Sequence, residues 1–144
     1  MKQRIRRLDK NKPSRSLTKI IIIKVLPVIV FLVAGFLLVP YGSMYFQNNK
    51  VTNVNTKAEA ILFYNANCPH CQKVYPKIFW HNILNFNNES KQIQPINVQN
   101  ANNKHYISDF AIQATPTFMK TTNINQRLVS TNSQQINHFI TGGH

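Results

Sequence analysis

The chain is built around residues 63–76, which read FYNANCPHCQKVYP. This segment holds both cysteines of the protein, Cys68 and Cys71, separated by two residues. The apolar run from Ala60 to Tyr64 is typical of a strand buried on both faces. The residues after Cys68 have helical spacing and predict a helix that runs toward Asn85. A tight turn bearing C-x-x-C between a strand and a helix is the arrangement in which a dithiol carries out redox chemistry.

The two cysteines are predicted to have different roles. Cys68 falls at the start of the predicted helix, where free backbone N–H groups and the helix dipole stabilise a thiolate. Pro69 suits the first helical position, and a protonated or hydrogen-bonding His70 favours the thiolate further. A pair whose reduced form is stabilised in this way is a stronger oxidant. We therefore predict Cys68, Pro69, His70 and Cys71 as catalytic residues, with Cys71 as the shielded, resolving thiol.

Other uses of the cysteine pair are less favoured. A structural disulfide would close so small a loop that it stabilises little. A zinc site needs further ligands, and His70, His81 and His105 are accompanied by neither a second C-x-x-C nor an H-x-x-x-H pattern. The four glycines lie in the apolar N-terminal segment or at the extreme C-terminus, which excludes a P-loop and a Gly-rich dinucleotide turn. We expect no metal and no cofactor beyond a redox-active Cys68–Cys71 disulfide.

The N-terminal part has the composition of a membrane anchor. Nine of the 17 Lys and Arg residues lie within residues 1–24, against the single acid Asp9. Residues 25–46 are almost entirely apolar, and about 20 such residues span a bilayer as a helix. Basic residues flank only the N-terminal side, which predicts a cytoplasmic N-terminus and an exported C-terminal part. A cleaved signal peptide is the alternative, but no A-x-A-like pattern follows the apolar segment. We predict an uncleaved signal-anchor in contact with membrane lipid, and no binding of nucleic acid.

The sequence predicts four parts and one folded domain. Residues 1–24 form a basic cytoplasmic arm, 25–46 a transmembrane helix, 47–57 a polar tether and 58–144 the domain. The order of elements in the domain, β-α-β-α-β-β-α, predicts an α/β fold with a mixed central sheet and helices on both faces. The run from Ile93 to Val98 is expected to be a central strand despite Pro95.

A second constellation lies at Ala114-Thr115-Pro116-Thr117. Together with the C-x-x-C after a buried strand and with Pro76 five residues after Cys71, it resembles the thioredoxin superfamily over roughly residues 58–140. The resemblance implies a three-layer α/β/α fold in which the Thr115–Pro116 peptide bond is cis and packs against the dithiol. It also implies that Thr115 and Pro116 bind substrate and that the activity is thiol-disulfide exchange.

Finer features of the resemblance bear on the direction of the reaction. The C-P-H-C motif is similar to that of the DsbA-type thiol oxidases, and the anchored layout resembles bacteriocin-accessory thioredoxin-like proteins. Leu62 stands where cytoplasmic thioredoxins carry a buried acid, which favours an oxidase or isomerase. The expected function is thiol-disulfide exchange with exported cysteine-containing proteins or peptides outside the cell membrane, with a membrane redox protein as electron partner. A thiol reductase and a weakly catalytic or non-catalytic protein that binds an exported peptide are the alternatives.

Overall fold

The computed structural model describes residues 19, 21–46 and 53–142. Most of the predicted basic arm and residues 47–52 of the predicted tether lie outside the described residues, so the predicted domain limits stay predictions. The regular elements are helix α1 (Leu26–Phe46), which follows a π-helical turn (Ile21–Val25), strand β1 (Ala60–Tyr64), helix α2 (Pro69–Leu84), strand β2 (Ile93–Asn97), helix α3 (Tyr106–Asp109), strands β3 (Thr117–Lys120) and β4 (Arg127–Val129), and helix α4 (Ser133–Thr141). Short 3-10 turns occupy Glu89–Lys91 and Ala101–Asn103.

The four described strands form one mixed sheet in the order β2-β1-β3-β4. Strands β1 and β2 are parallel, with Leu62 opposite Pro95, whereas β3 is antiparallel to both β1 and β4. The prediction that the second strand is central is wrong, because β2 lies at the edge of the described sheet. Proline is tolerated at such an edge because its missing N–H removes no bond to a further strand.

Strand β1 divides the core into two layers. All five of its residues are buried, and successive side chains point to opposite faces of the sheet. Leu62 and Tyr64 pack with residues of α2 and α4, whereas Ile61 and Phe63 pack with Tyr106 of α3 on the other face. The predicted mixed sheet with helices on both sides is therefore confirmed. The layer between the sheet and α2 contains Val74, Tyr75 and Ile78 of α2 and Ile136 and Ile140 of α4.

Helix α1 and the preceding π turn form one apolar helix of 26 residues, Ile21–Phe46, which contains an 18-residue stretch with a mean hydropathy of 2.9. Its length and composition are sufficient to cross a membrane. By contacts the chain separates into a unit that ends at Leu38 and a unit that begins at Val39.

Within the second unit, the last turns of α1 are part of the folded domain. Met44 is fully buried in the same core as Tyr64 and Tyr75. The Tyr64 hydroxyl donates a hydrogen bond of 3.1 Å to the Met44 carbonyl oxygen, and the hydroxyl oxygens of Ser43 and Tyr75 lie 3.2 Å apart. The sequence did not predict this packing, because Met44 lies in an apolar run that was assigned to lipid contact.

The last helix, α4, is capped by Asn132, whose side chain accepts hydrogen bonds from the two backbone N–H groups that follow Ser133. The side chain of Phe86 is 70% exposed. It follows α2 in a loop that the helical pattern does not reach.

Candidate active site

Cys68 occupies the N-cap of α2. Its backbone is extended (φ −84°, ψ 120°), and Pro69 takes the first helical position, as predicted. The Gln72 N–H donates to the Cys68 carbonyl oxygen at 3.0 Å and closes the first helical turn. This places the half-buried Cys68 sulfur beside the free N–H groups at the beginning of the helix.

Cys71 lies beneath Cys68 in the protein core. It is 1% exposed and shares a cluster of buried side chains with Leu62 and Val74. The Asn65 backbone N–H donates to the Cys71 Sγ atom at 3.5 Å. Both cysteines are free thiols in this structure, so the site is in its dithiol form.

The environment separates the acidities of the two thiols. Burial raises the pKa of Cys68, but hydrogen bonds from the Cys71 backbone, from the side chains of Thr115 and Cys71 and from the His70 backbone lower it by more. The resulting pKa of Cys68 lies below its ordinary value of 9.0. Burial raises the pKa of Cys71 to about 11 despite the hydrogen bond from Asn65. Near neutral pH the accessible sulfur is therefore the better nucleophile, because only the thiolate attacks.

Thr115 and Pro116 complete one side of the site. The peptide bond between them is cis, as the resemblance implied, and Pro116 is buried. The Cys68 Sγ atom lies 3.5 Å from the Thr115 carbonyl oxygen, to which the thiol donates. Thr117 Oγ1 donates to the Ala114 carbonyl oxygen at 2.6 Å and fixes the loop at the point where it enters β3. The structure thus brings Thr115 to Cys68 from a distant part of the chain.

His70 lies next to Cys71 in the first turn of α2. Its side chain is exposed in the first turn of α2, and its contribution to the acidity of Cys68 comes through the backbone. The role predicted for the His70 imidazole therefore stays a prediction.

Three residues that sequence reasoning missed surround the turn before Cys68. The Asn65 side chain accepts from the Asn67 N–H at 2.8 Å, while its backbone N–H reaches Cys71. Gln72 Nε2 donates to the Ala66 carbonyl oxygen at 3.0 Å and to the Tyr45 hydroxyl oxygen at 3.2 Å. An Asn two residues before another Asn is a turn signal that points to the first contact, whereas Gln72 and Tyr45 carry no such signal.

An open cleft of about 290 Å³ is lined in part by Thr115 and Asn65, the residues whose backbone groups contact Cys68 and Cys71. Gln99 and Gln113 are among its other lining residues. Val98, Ile107 and Ile112 supply its apolar surface. The cleft combines hydrogen-bonding groups with an apolar lining, which suits a short stretch of extended peptide.

Among the described residues, no group of three or more His, Cys, Asp or Glu side chains is arranged to hold a metal ion. A family model described as Thioredoxin matches residues 43–141, which includes the dithiol, the cis-proline loop and the end of α1. No curated protein and no solved structure matches the chain.

Proposed function

The chain belongs to the thioredoxin family, and from this premise we propose that it is a membrane-anchored thiol-disulfide oxidoreductase that forms or exchanges disulfides in exported proteins or peptides. The observation that carries the proposal is the unequal placement of the two sulfurs. Cys68 is accessible and has a lowered pKa, whereas Cys71 is buried beneath it with a raised pKa. This is the division between an attacking and a resolving thiol.

The oxidising reaction proceeds in two exchanges. A substrate thiolate attacks Cys68 Sγ of the Cys68–Cys71 disulfide, the S–S bond breaks, and Cys71 leaves with the electron pair and takes up a proton. A second substrate thiolate then attacks the substrate sulfur of the mixed disulfide and releases Cys68 as a thiolate. Two electrons pass from two substrate thiols to the dithiol, and a disulfide of a membrane redox partner accepts them when the site is reoxidised.

The charge environment of the site favours oxidation or isomerisation. Stabilisation of the Cys68 thiolate stabilises the reduced form, which makes the disulfide form a stronger oxidant. Leu62 leaves the buried Cys71 among apolar side chains, without the acid that would take the proton of Cys71 during reduction of a substrate. Both features act against a general reductase.

We assign substrate binding to Thr115, Pro116 and the adjoining cleft. The half-buried Thr115 presents backbone groups beside Cys68, and a substrate in extended conformation can pair with them as an added strand. The amides of Gln99 and Gln113 are available to polar groups of the same segment. A cysteine in that segment then lies within reach of Cys68.

The anchor is proposed to remain attached in the mature protein. A helix of 26 residues is about 39 Å long, whereas the hydrocarbon core is about 30 Å thick and needs about 20 residues. The part of the helix beyond the length needed to cross the hydrocarbon core corresponds to the last turns of α1, where Met44 packs into the domain. Removal of these turns would open the core, and the basic residues before α1 predict that the domain faces away from the cytoplasm.

The proposal is tested with the full chain in lipid nanodiscs and a reduced synthetic peptide that contains two cysteines. The oxidised protein should convert the peptide to its disulfide, and Cys68→Ser should slow the conversion by at least about 100-fold because the covalent step is lost. A Ser90→Ala variant, in the exposed turn at Glu89–Lys91 before β2, serves as the control. Full activity of Cys68→Ser, in the peptide assay or in the cell, would contradict the proposal and favour a protein that only holds an exported peptide.

A further inference from the structure

Gln72, the residue after Cys71, joins two parts of the domain through its side-chain amide. Its Nε2 atom donates to the Ala66 carbonyl oxygen at 3.0 Å and to the Tyr45 hydroxyl oxygen at 3.2 Å. Ala66 lies in the turn before Cys68, and Tyr45 lies near the end of α1. A primary amide has two N–H donors, and both are directed to acceptors here.

The turn that Gln72 holds leads directly into Cys68. Within the turn, the Cys68 N–H donates to the Asn65 carbonyl oxygen at 3.0 Å, and the Asn67 N–H donates to the Asn65 side chain. These bonds shape the turn itself, whereas the bond from Gln72 fastens the turn to α2. The pKa of Cys68 is lowered by hydrogen bonds from groups in the first turn of α2. If the turn before Cys68 moved relative to α2, these hydrogen bonds to the Cys68 sulfur would weaken, because hydrogen bonds weaken steeply with angle and distance.

We propose that Gln72 is a positioning residue for the Cys68–Cys71 dithiol and that Tyr45 fixes the Gln72 side chain in the conformation that does so. The proposal rests on the proposed thiol-disulfide activity and extends it beyond the C-P-H-C motif. According to this proposal, Tyr45 in the last turns of α1 helps to hold the reactive dithiol in position. The Gln72 side chain has several rotatable bonds, and a second acceptor restricts it to the rotamer that reaches Ala66.

A neighbouring contact provides a matched control. The hydroxyl groups of Ser43 and Tyr75 lie 3.2 Å apart and also join the end of α1 to α2. Neither residue has a hydrogen bond to the turn at Ala66. Loss of the Ser43 hydroxyl therefore removes one bond from the same interface and leaves the support of the turn in place.

The experiment measures alkylation of Cys68 by iodoacetamide at pH 6.5, with the reduced full chain in detergent micelles. The rate reports the thiolate of Cys68, because Cys71 is buried and protonated at this pH. Gln72→Met, which keeps the size of the side chain, should be about three- to tenfold slower, and Tyr45→Phe about two- to threefold slower, as expected for loss of one net hydrogen bond. Ser43→Ala should keep the wild-type rate.

A double variant tests whether Tyr45 acts through Gln72. Tyr45→Phe combined with Gln72→Met should be no slower than Gln72→Met alone, since residues that act through a common contact are not additive. If instead the double variant is slowed by the product of the two single effects, the two residues act independently, and the role given to Tyr45 is wrong. Urea unfolding followed by Trp80 fluorescence monitors stability in parallel. If Gln72→Met does not fold, the comparison of Tyr45→Phe with Ser43→Ala decides the question.

Two results would overturn the proposal as a whole. One is a wild-type alkylation rate in Gln72→Met. The other is an equal loss of rate in Ser43→Ala and Tyr45→Phe, which would indicate general loosening of the interface. Neither result depends on turnover of a substrate, so failure here is distinct from failure of the proposed function, for which the peptide assay with Cys68→Ser is the test.

Discussion

The Cys68 Sγ atom lies 3.5 Å from the carbonyl oxygen of Thr115, a residue 47 positions later in the chain. This contact joins the helix that activates the thiol to the loop that offers backbone groups to a substrate. Cys71 is held on the other side by the Asn65 backbone N–H. Cys68 and Cys71 are chemically identical and three residues apart, but the fold places them in different surroundings.

The first prediction concerns the pH dependence of thiol reactivity. Because the pKa of Cys68 is lowered and that of Cys71 is raised to about 11, each thiol should become reactive as the pH rises through its own pKa. The alkylation rate of Cys71→Ser should reach half of its maximum below pH 9. Cys68→Ser should show little reaction below pH 10. Mass spectrometry after iodoacetamide treatment over a range of pH measures both profiles, and coincident midpoints would contradict the assignment.

The second prediction concerns the mixed disulfide. Without Cys71 the intermediate on Cys68 has no internal thiol to resolve it, so Cys71→Ser should accumulate a covalent adduct with an activated substrate disulfide. Cys68→Ser should form at least about tenfold less, because its remaining thiol is buried and protonated. Non-reducing gel electrophoresis with a peptide disulfide detects the adduct. Preferential trapping on Cys71 would reverse the proposed roles.

The third prediction separates the imidazole of His70 from its backbone N–H. His70→Gln retains the N–H group and should change the alkylation rate of Cys68 by less than about threefold, which corresponds to less than one net hydrogen bond. His70→Pro removes the N–H at the second helical position and also disfavours the helical conformation of Pro69 before it, so it should slow alkylation more. His138→Gln on α4 is the control. Equal losses in the two His70 variants would assign the effect to the imidazole.

The fourth prediction tests whether the end of α1 belongs to the folded domain. Met44 is fully buried, so Met44→Ala should lower the free energy of unfolding by about 2–5 kcal/mol through lost burial and the cavity it leaves. Met44→Leu conserves volume and should cost less than about 1.5 kcal/mol. Urea unfolding of the full chain in micelles, followed by Trp80 fluorescence, provides both values. A negligible effect of Met44→Ala would mean that the domain folds without this contact.

The sequence predicted those parts of the site that depend on local pattern. A continuous apolar run followed by a proline-initiated helix places Cys68 at a helix N-terminus, and the resemblance supplied the cis bond before Pro116. Both features are confirmed by the geometry of the structure. The helix start could be predicted because it is encoded by a few adjacent residues, whereas the cis bond was implied by the resemblance to the thioredoxin superfamily.

The remaining contacts depend on the tertiary structure. Met44 lies in a run whose apolar residues are equally suited to lipid and to a protein core, so its burial carries no separate signal. Gln72 is an ordinary polar residue of a helix, and its role appears only when the turn at Ala66 and the end of α1 are brought to it. The edge position of β2 depends on sheet order, which a short apolar run does not specify.

The most direct test of the central claim is the reduction potential of the Cys68–Cys71 pair, measured on the full chain in nanodiscs by equilibration with glutathione buffers. A thiolate stabilised at the start of α2 and a buried partner without a nearby acid predict an oxidising pair, with a potential less negative than about −200 mV. A potential more negative than about −250 mV, near the thioredoxin end of the range, would contradict the proposed oxidase or isomerase.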